Sequence, residues 1–189
     1  KCHASHNQVL EQYAMNIFDS TRRFHGLGDR ERLLLQIAVT LHACGKFISV
    51  RNSNECAYNI IMSTEIIGIS HLEREIIANV VRYNIRDFDY NMVRMETELD
   101  EVTDSFSGQN EVMLLIAKLT AMLRLANSMD RGHSAKLADC RMTVKDQNLI
   151  ITTDYHGDIT LEAVSFEQKA AFFEEIFGIR PVLRHKKYV

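Results

Sequence analysis

Two histidines are the side chains of this sequence best placed to do metal chemistry. His42 lies in the segment Leu41-His42-Ala43-Cys44-Gly45, late in a predicted helix, and His6 lies on the first predicted helix. A histidine and the next carboxylate at a helix end can both ligate one metal ion. Another histidine upstream and an aspartate on a later helix then complete the ligand shell. A metal held in this way generates a nucleophile from water, which is the chemistry of a metal-dependent hydrolase.

Such a site has four ligand positions, and two of them hold residues here that do not suit a metal ion. Ala43 follows His42 and offers no donor atom, and Asn127 supplies a neutral amide where the closing aspartate belongs. Two imidazoles without a carboxylate fall short of the three protein ligands usual in catalytic sites. We therefore expect a degenerate site made of His6, His42, Ala43 and Asn127, with no catalytic residue, no metal and no cofactor in this chain.

The alternative is a hydrolase that completes the site with other ligands, such as Glu55 or Asp130. Each candidate side chain also has a structural interpretation. His42, near the end of an apolar helix, is typical of a buried and hydrogen-bonded histidine. His6 suits a surface or packing position. Asp130 and His133, just after the fifth predicted helix, are placed to organise the turn that follows it.

Positively charged residues near the end of the chain form a second candidate site. A cluster of basic side chains attracts phosphate-rich ligands over a long range. For Arg124 and Arg131 the alternative is ion pairing with the acidic loop. For the cluster that begins at Arg180 the alternative is a solvated basic tail. The predicted polyanion-binding residues are Arg124, Arg131, Arg180, Arg184, Lys186 and Lys187.

A set of helices must position these residues. Hydrophobic periodicity predicts helices over about residues 5–24, 29–45, 54–63, 70–83 and 110–129. Ser70-His71-Leu72-Glu73 is a capping box that begins the fourth. On the second helix the expected buried stripe is Leu33, Leu34, Ile37, Leu41 and Cys44. The acidic stretch from Asp87 to Asp104 is interpreted as a solvated loop, with a helix over 93–102 as the alternative.

After Asp130 the sequence changes to short alternating segments. Strands are predicted over 140–145, 149–153, 158–162 and 180–183, with a turn at 146–148. A second capping box at Ser165-Phe166-Glu167-Gln168 predicts a helix that ends at Gly178. The predicted fold class is mainly α, with a helical domain over residues 1–135. A small α+β unit with the order β-β-β-α-β follows over residues 136–189.

Composition narrows the classes of function. The chain has 189 residues, of which 46% are hydrophobic and 25% charged. Its net charge of -3 excludes a generally basic nucleic-acid-binding protein, so we do not expect DNA as a partner. The four cysteines form no CxxC pair, and we expect them to be reduced. No apolar run is expected to reach membrane-spanning length. The chain begins Lys1-Cys2-His3 and is interpreted as an internal fragment of a cytoplasmic protein.

Several blocks of sequence resemble one family in the order in which that family carries them. Residues 41–49 (LHACGKFIS) resemble LHDIGxxIS, 67–70 (IGIS) resemble LLGFS, 77–84 (IANVVRYN) resemble LIALVVRYH, and 123–133 (LRLANSMDRGH) resemble LRLADALDRSH. The chain is thereby similar to the C-terminal, HD-like region of the exopolyphosphatase/guanosine pentaphosphate phosphatase (Ppx/GppA) family. The departures from the family pattern are Ala43, Asn84, Asn127 and the segment Ser53–Cys56.

The resemblance implies an accessory role beside a catalytic apparatus that lies elsewhere. Family membership implies actin-like catalytic domains N-terminal to this region in a parent protein. It also implies hydrolysis of terminal phosphoanhydrides in polyphosphate or guanosine pentaphosphate, Mg²⁺ as the parent's cofactor, and a homodimer. We expect this chain alone to be inactive and to contribute to polyanion binding, to dimerisation, or to both. The alternatives are an HD phosphohydrolase with unusual ligands and a purely structural or interaction module.

Overall fold

The computed structural model describes residues 2–90 and 105–186, with side chains over 6–90 and 108–186. The fold is mainly α with a small α+β unit near the C-terminus, as predicted. Seven α-helices occur in these ranges: α1 Cys2–Ser20, α2 Arg22–His25, α3 Asp29–Leu41, α4 Ser53–Met62, α5 His71–Arg82, α6 Ser105–Met129 and α7 Thr160–Phe177. A 3-10 helix spans Cys44–Phe47. The strands are β1 Arg141–Lys145, β2 Asn148–Thr153 and β3 Arg180–His185. The alternative helix over 93–102 lies outside the described residues.

The chain divides into two compact units. The first comprises residues 1–32 and 121–189, so that α1 belongs to the same unit as the sheet and α7. The second comprises residues 33–120 and contains the 3-10 helix, α4 and α5. The division at residue 135 stays a prediction of the sequence.

Helix α1 shows why its segment is helical. Leu10, Tyr13, Ala14, Ile17 and Phe18 are all fully buried. Their spacing of three and four residues places them on one face of the helix. The left-handed residue Gly26 then ends α2, which follows directly.

Helix α3 buries a different face from the one expected. Its buried residues are Leu34, Leu35, Ala38 and Val39. Leu33, Ile37 and Leu41 instead line a groove of about 400 Å³ with Ile66. Leu34 is buried as expected, but the other residues of the expected stripe are not. The run Leu33-Leu34-Leu35 is compatible with two adjacent helix faces, between which periodicity alone does not decide.

The beginning of α5 was predicted correctly. Ser70 Oγ accepts a hydrogen bond from the Glu73 amide at 3.2 Å, and the Ser70 amide donates to Glu73 Oε2 at 2.8 Å. This capping box satisfies two backbone donors that the helix itself leaves without partners.

The C-terminal unit has the order β-β-α-β. Strand β2 is central, antiparallel to β1 and parallel to β3, and α7 connects β2 to β3. Asp146 and Gln147 form the predicted turn with positive φ angles of 49° and 58°, which match the twist of a two-residue hairpin. Gly178 ends α7 in a left-handed conformation, as predicted.

The strand predicted over 158–162 is wrong, because α7 begins at Thr160 rather than at Ser165. Asp158 Oδ1 accepts hydrogen bonds from the amide of Thr160 at 2.8 Å and from its hydroxyl at 2.6 Å. These bonds lower the pKa of the Asp158 carboxyl and hold the first turn of the helix. The alternation of Ile159 and Leu161 resembles a strand only when this local capping is ignored.

Helix α6 contains one segment, Gly108–Met129, that is long and apolar enough to cross a membrane, contrary to the expectation from the sequence. Most of that segment is buried inside the protein, and the central helix of a globular protein has the same length and composition. The segment is therefore weak evidence for a membrane span.

Gly45 is required by close backbone packing of the 3-10 helix on α4. A Cβ at this position would lie 1.8 Å from Ser53 O and 2.6 Å from Ala57 N. We expect Gly45→Ala to lower the free energy of unfolding by about 3 kcal/mol or more, because backbone atoms cannot move aside as a flexible side chain can. Urea unfolding followed by circular dichroism measures this change.

Gly28→Ala is the matched control. Its Cβ would meet only the flexible Glu31 carboxylate at 3.3 Å, so the cost should stay within about 0.5 kcal/mol. Equal unfolding midpoints for the two variants would contradict the packing argument.

Candidate functional site

A buried polar cluster of the first unit surrounds Asp130, which directly follows α6. His6 Nδ1 donates to Asp130 Oδ2 at 2.6 Å, and both side chains are at least 95% buried. The donor is assigned to His6 because an ionised carboxylate only accepts hydrogen bonds. Asp130 Oδ1 accepts from the amides of Ser134 at 3.0 Å and Ala135 at 2.8 Å. Both carboxylate oxygens are therefore engaged.

The loop after α6 depends on these bonds for its shape. His133 and Ala135 both have positive φ angles, of 51° and 53°, which cost free energy in residues other than glycine. The amide bonds to Asp130 hold this strained backbone. The exposed His133 ring lies on the buried His6 ring, with a centroid distance of 3.9 Å. The organising role predicted for Asp130 and His133 agrees with this geometry.

A second buried carboxylate, which the sequence analysis missed, holds the same loop from α7. Glu162 is 1% exposed, forms an ion pair with Lys136 at 3.2 Å and accepts from the Gly132 amide at 3.3 Å. Lys136 also donates to the Asp158 carbonyl at 2.8 Å. Placing the start of α7 at Thr160 would have put Glu162 in its first turn, where a carboxylate is favoured.

Tyr13 and Cys140 lie near this cluster and are chemically quiet. Burial raises the pKa of Tyr13, and the nearby Cys140 and Asp130 raise it further. Burial also raises the pKa of the Cys140 thiol to about 11. Because the thiolate is the reactive form, Cys140 is a poor nucleophile at neutral pH.

The four positions of the predicted degenerate site are divided between the two units. His6 and the half-buried Asn127 belong to the first, and His42 and Ala43 to the second. His42 is 8% exposed, and its Nδ1 donates to the Val39 carbonyl at 2.6 Å. It is thus buried and hydrogen-bonded, as the structural interpretation expected.

These positions do not offer a donor set suited to a divalent metal ion. Ala43 has no ligating atom, and the Asn127 amide is neutral. Over residues 2–90 and 105–186, no group of three or more His, Cys, Asp and Glu side chains is placed to hold a metal. Glu55, considered as another ligand, forms ion pairs with Arg82 at 2.8 Å and Arg86 at 2.9 Å.

The predicted polyanion-binding residues are in different environments. Arg124 is 5% exposed and lies over the Phe172 ring at 4.8 Å, so it is not a surface cation. Arg180 forms ion pairs with Glu167 and with Glu174, and Lys186 with Asp154 at 3.2 Å. Arg131 and Arg184 are exposed, and Lys187 lies outside the described residues.

Comparison with known families gives a match that includes all the blocks of sequence noted above. The family model of Ppx/GppA phosphatase domain III matches residues 1–170. The chain belongs to the Ppx/GppA phosphatase family. The resemblance seen in the sequence is thereby confirmed, and a domain III implies a parent protein with other domains. No curated protein matches this Ppx/GppA domain.

The contribution of Asp130 can be measured by removing its carboxylate. We expect Asp130→Ala to lower the free energy of unfolding by about 3–5 kcal/mol, since it leaves a buried imidazole and two amides without their acceptor. Asp130→Asn keeps one oxygen for the amides and should cost less. Urea denaturation gives both values.

Asp154→Ala is the control for removing an ion-paired carboxylate. Asp154 and Lys186 are each 53% exposed, so breaking their pair should cost less than about 1 kcal/mol. If Asp130→Ala were as mild as this control, the loop would not depend on Asp130.

The raised pKa of Cys140 gives a pH-dependent prediction. Its alkylation by iodoacetamide should rise about tenfold per pH unit from pH 7 to pH 10, because the thiolate fraction is still increasing below a pKa of about 11. Peptide mapping by mass spectrometry resolves Cys140 from the other cysteines. A rate that levels off below pH 9, as for an ordinary thiol, would contradict the predicted burial of the thiol.

Proposed function

We propose that this chain is a non-catalytic accessory domain of a Ppx/GppA-type phosphohydrolase. Its HD-like site is degenerate, and it contributes to binding of a polyanionic substrate and to a homodimer of the parent protein. The observation that carries the proposal is the engagement of both oxygens of Asp130 in structural bonds. The other carboxylate considered as a ligand, Glu55, is likewise held, in this case by two arginines.

The hydrogen bond between His6 and Asp130 also fits a domain that holds no metal ion. In metalloproteins a carboxylate commonly accepts a hydrogen bond from a ligating histidine and fixes the orientation of its ring. Here the same kind of pair stabilises a loop. Ala43 and Asn127, the other positions of the predicted site where a carboxylate was expected, supply none. The pair therefore has a structural role that does not require a metal ion.

The reaction belongs to the parent protein in this proposal. Actin-like domains N-terminal to this region would hydrolyse the terminal phosphoanhydride of polyphosphate or guanosine pentaphosphate, with Mg²⁺ held there, in the cytoplasm. The accessory domain would retain the substrate through exposed cations. Arg131 and Arg184 support this role, since both are exposed and neither forms an ion pair within the described part of the chain.

Metal content, phosphate release and polyphosphate binding of the purified chain test the proposal. After dialysis without chelator, we expect far less than one equivalent of manganese, iron or zinc by elemental mass spectrometry. With polyphosphate and added Mg²⁺ or Mn²⁺, no phosphate should be released. Binding should be detectable at low salt and weaken as salt increases, because exposed charges are screened.

His42→Ala is the variant that separates the alternatives. Metal-dependent phosphate release that this substitution abolishes would establish an HD phosphohydrolase and overturn the accessory role. Absence of polyphosphate binding even at low salt would instead favour a purely structural or interaction module.

A further inference from the structure

The end of the 3-10 helix and the residues that follow it expose three large apolar side chains. Phe47, Ile48 and Val50 are 94%, 67% and 81% exposed to solvent. Isolated apolar side chains are common on protein surfaces, but several that lie together mark a surface that contacts another molecule. These three lie within four consecutive residues and form one such surface. We call residues 46–51 the apolar loop.

Positive charges lie at both ends of the apolar loop. Lys46 precedes the apolar residues and Arg51 follows them, and both are exposed. Neither forms an ion pair with any side chain over residues 6–90 and 108–186. The chain has 25 Asp and Glu residues, yet none lies between Glu31 and Glu55. The sequence around the apolar loop is therefore positive, although the net charge of the chain is -3.

Several backbone amides of the apolar loop are already hydrogen-bonded within it. The amides of Ile48 and Ser49 both donate to the Gly45 carbonyl, at 3.1 Å and 3.0 Å. The Asn52 amide donates to Ser49 Oγ at 3.1 Å. An amide that enters an apolar environment without a hydrogen-bond partner costs free energy. Because these amides have partners, the loop can leave water at a smaller cost than an open loop.

The combination of apolar side chains with flanking cations favours a lipid surface over another protein as the partner. Lys is depleted in protein–protein interfaces, and charged residues are depleted at their centres. At an anionic bilayer, by contrast, Lys and Arg contact the headgroups while neighbouring apolar side chains enter the acyl boundary. The long apolar stems of Lys46 and Arg51 allow their charges to stay in the headgroup layer while the residues between them insert.

We propose that the apolar loop binds the surface of an anionic lipid bilayer. Phe47, Ile48 and Val50 insert at the boundary between the headgroups and the acyl chains. Lys46 and Arg51 contact the phosphates of the lipid headgroups. A single myristoyl chain gives only marginal and reversible membrane binding, and three side chains do not exceed it. Binding through this loop is therefore reversible and requires the cations as well as the apolar side chains.

This inference does not depend on the proposed accessory function. The apolar loop lies in the second unit, residues 33–120, and the exposure of its side chains has no connection with polyphosphate or with a metal site. The sequence analysis considered only apolar runs long enough to span a membrane, which a loop of six residues is not. The exposed fractions of the three side chains, which only the structure gives, distinguish this loop from a buried segment.

Flotation of the purified chain with lipid vesicles tests the contribution of the apolar side chains. The vesicles contain phosphatidylcholine and phosphatidylglycerol in equal parts, and binding is measured at low salt. We expect Phe47→Gln/Ile48→Gln to lower the partition coefficient about tenfold or more, because two apolar side chains no longer leave water. Leu161→Gln/Val164→Gln removes two exposed apolar side chains from α7 and should change it less than twofold. Thermal melts confirm that the variants are folded.

Lys46→Gln/Arg51→Gln tests the contribution of the cations in the same assay. Its binding to the anionic vesicles should fall about tenfold and lose most of its dependence on salt, because the attraction to the charged surface is removed. Arg141→Gln/Lys145→Gln is the matched control, since it removes one Arg and one Lys from exposed positions on β1. This control should change binding less than twofold.

A tryptophan placed in the apolar loop reports insertion directly, because the chain contains no other. The emission of Phe47→Trp should shift to shorter wavelength when anionic vesicles are added, and lipids with brominated acyl chains should quench it. Leu161→Trp should show neither effect.

Three outcomes would overturn the proposal. The first is that the wild-type chain does not float with anionic vesicles. The second is that Phe47→Gln/Ile48→Gln binds the vesicles as the wild-type chain does. The third is an emission shift of Phe47→Trp that needs no vesicles and increases with protein concentration, since a second copy of the chain would then cover the loop. Each of these leaves the accessory function standing, because polyphosphate binding is measured separately.

Discussion

The buried carboxylate of Asp130 is the interaction on which the candidate site of the first unit depends. One oxygen fixes the ring of His6 on α1, and the other holds the strained loop after α6. Glu162 supports the same loop from α7. A buried charge is stable only when its hydrogen-bonding capacity is filled, so these contacts must be kept together. The result is that the loop after α6 is held by α1 and by α7.

The same constraint bears on the metal-free role proposed for this domain. A carboxylate that serves a loop is no longer available to a metal ion without loss of stability. Ala43 has no ligating atom and Asn127 offers only a neutral amide, whereas the hydrogen bond between His6 and Asp130 stabilises the fold.

Local sequence signals predicted some features of the fold correctly and misplaced others. The capping box at Ser70 and the turn at Asp146 are decided within four residues, and both were found. The buried face of α3 and the beginning of α7 were misjudged, because each sequence fits two structures and packing or a side-chain cap decides. For the site, residue types predicted that metal ligands are missing, and this stays a prediction. Only the structure revealed that Arg124 is buried and that Arg180 and Lys186 form ion pairs.

The parallel pairing of β2 with β3 has a consequence for the order in which the molecule assembles. Strand β3 reaches β2 only after the whole of α7 has been traversed, which makes this a contact of large sequence separation, whereas the β1–β2 hairpin closes over two residues. Long-range pairings form late in folding because their loop-closure entropy must be overcome first. Until the chain has been made as far as residue 185, β2 is therefore an edge strand with unpaired backbone groups on the side that β3 later covers.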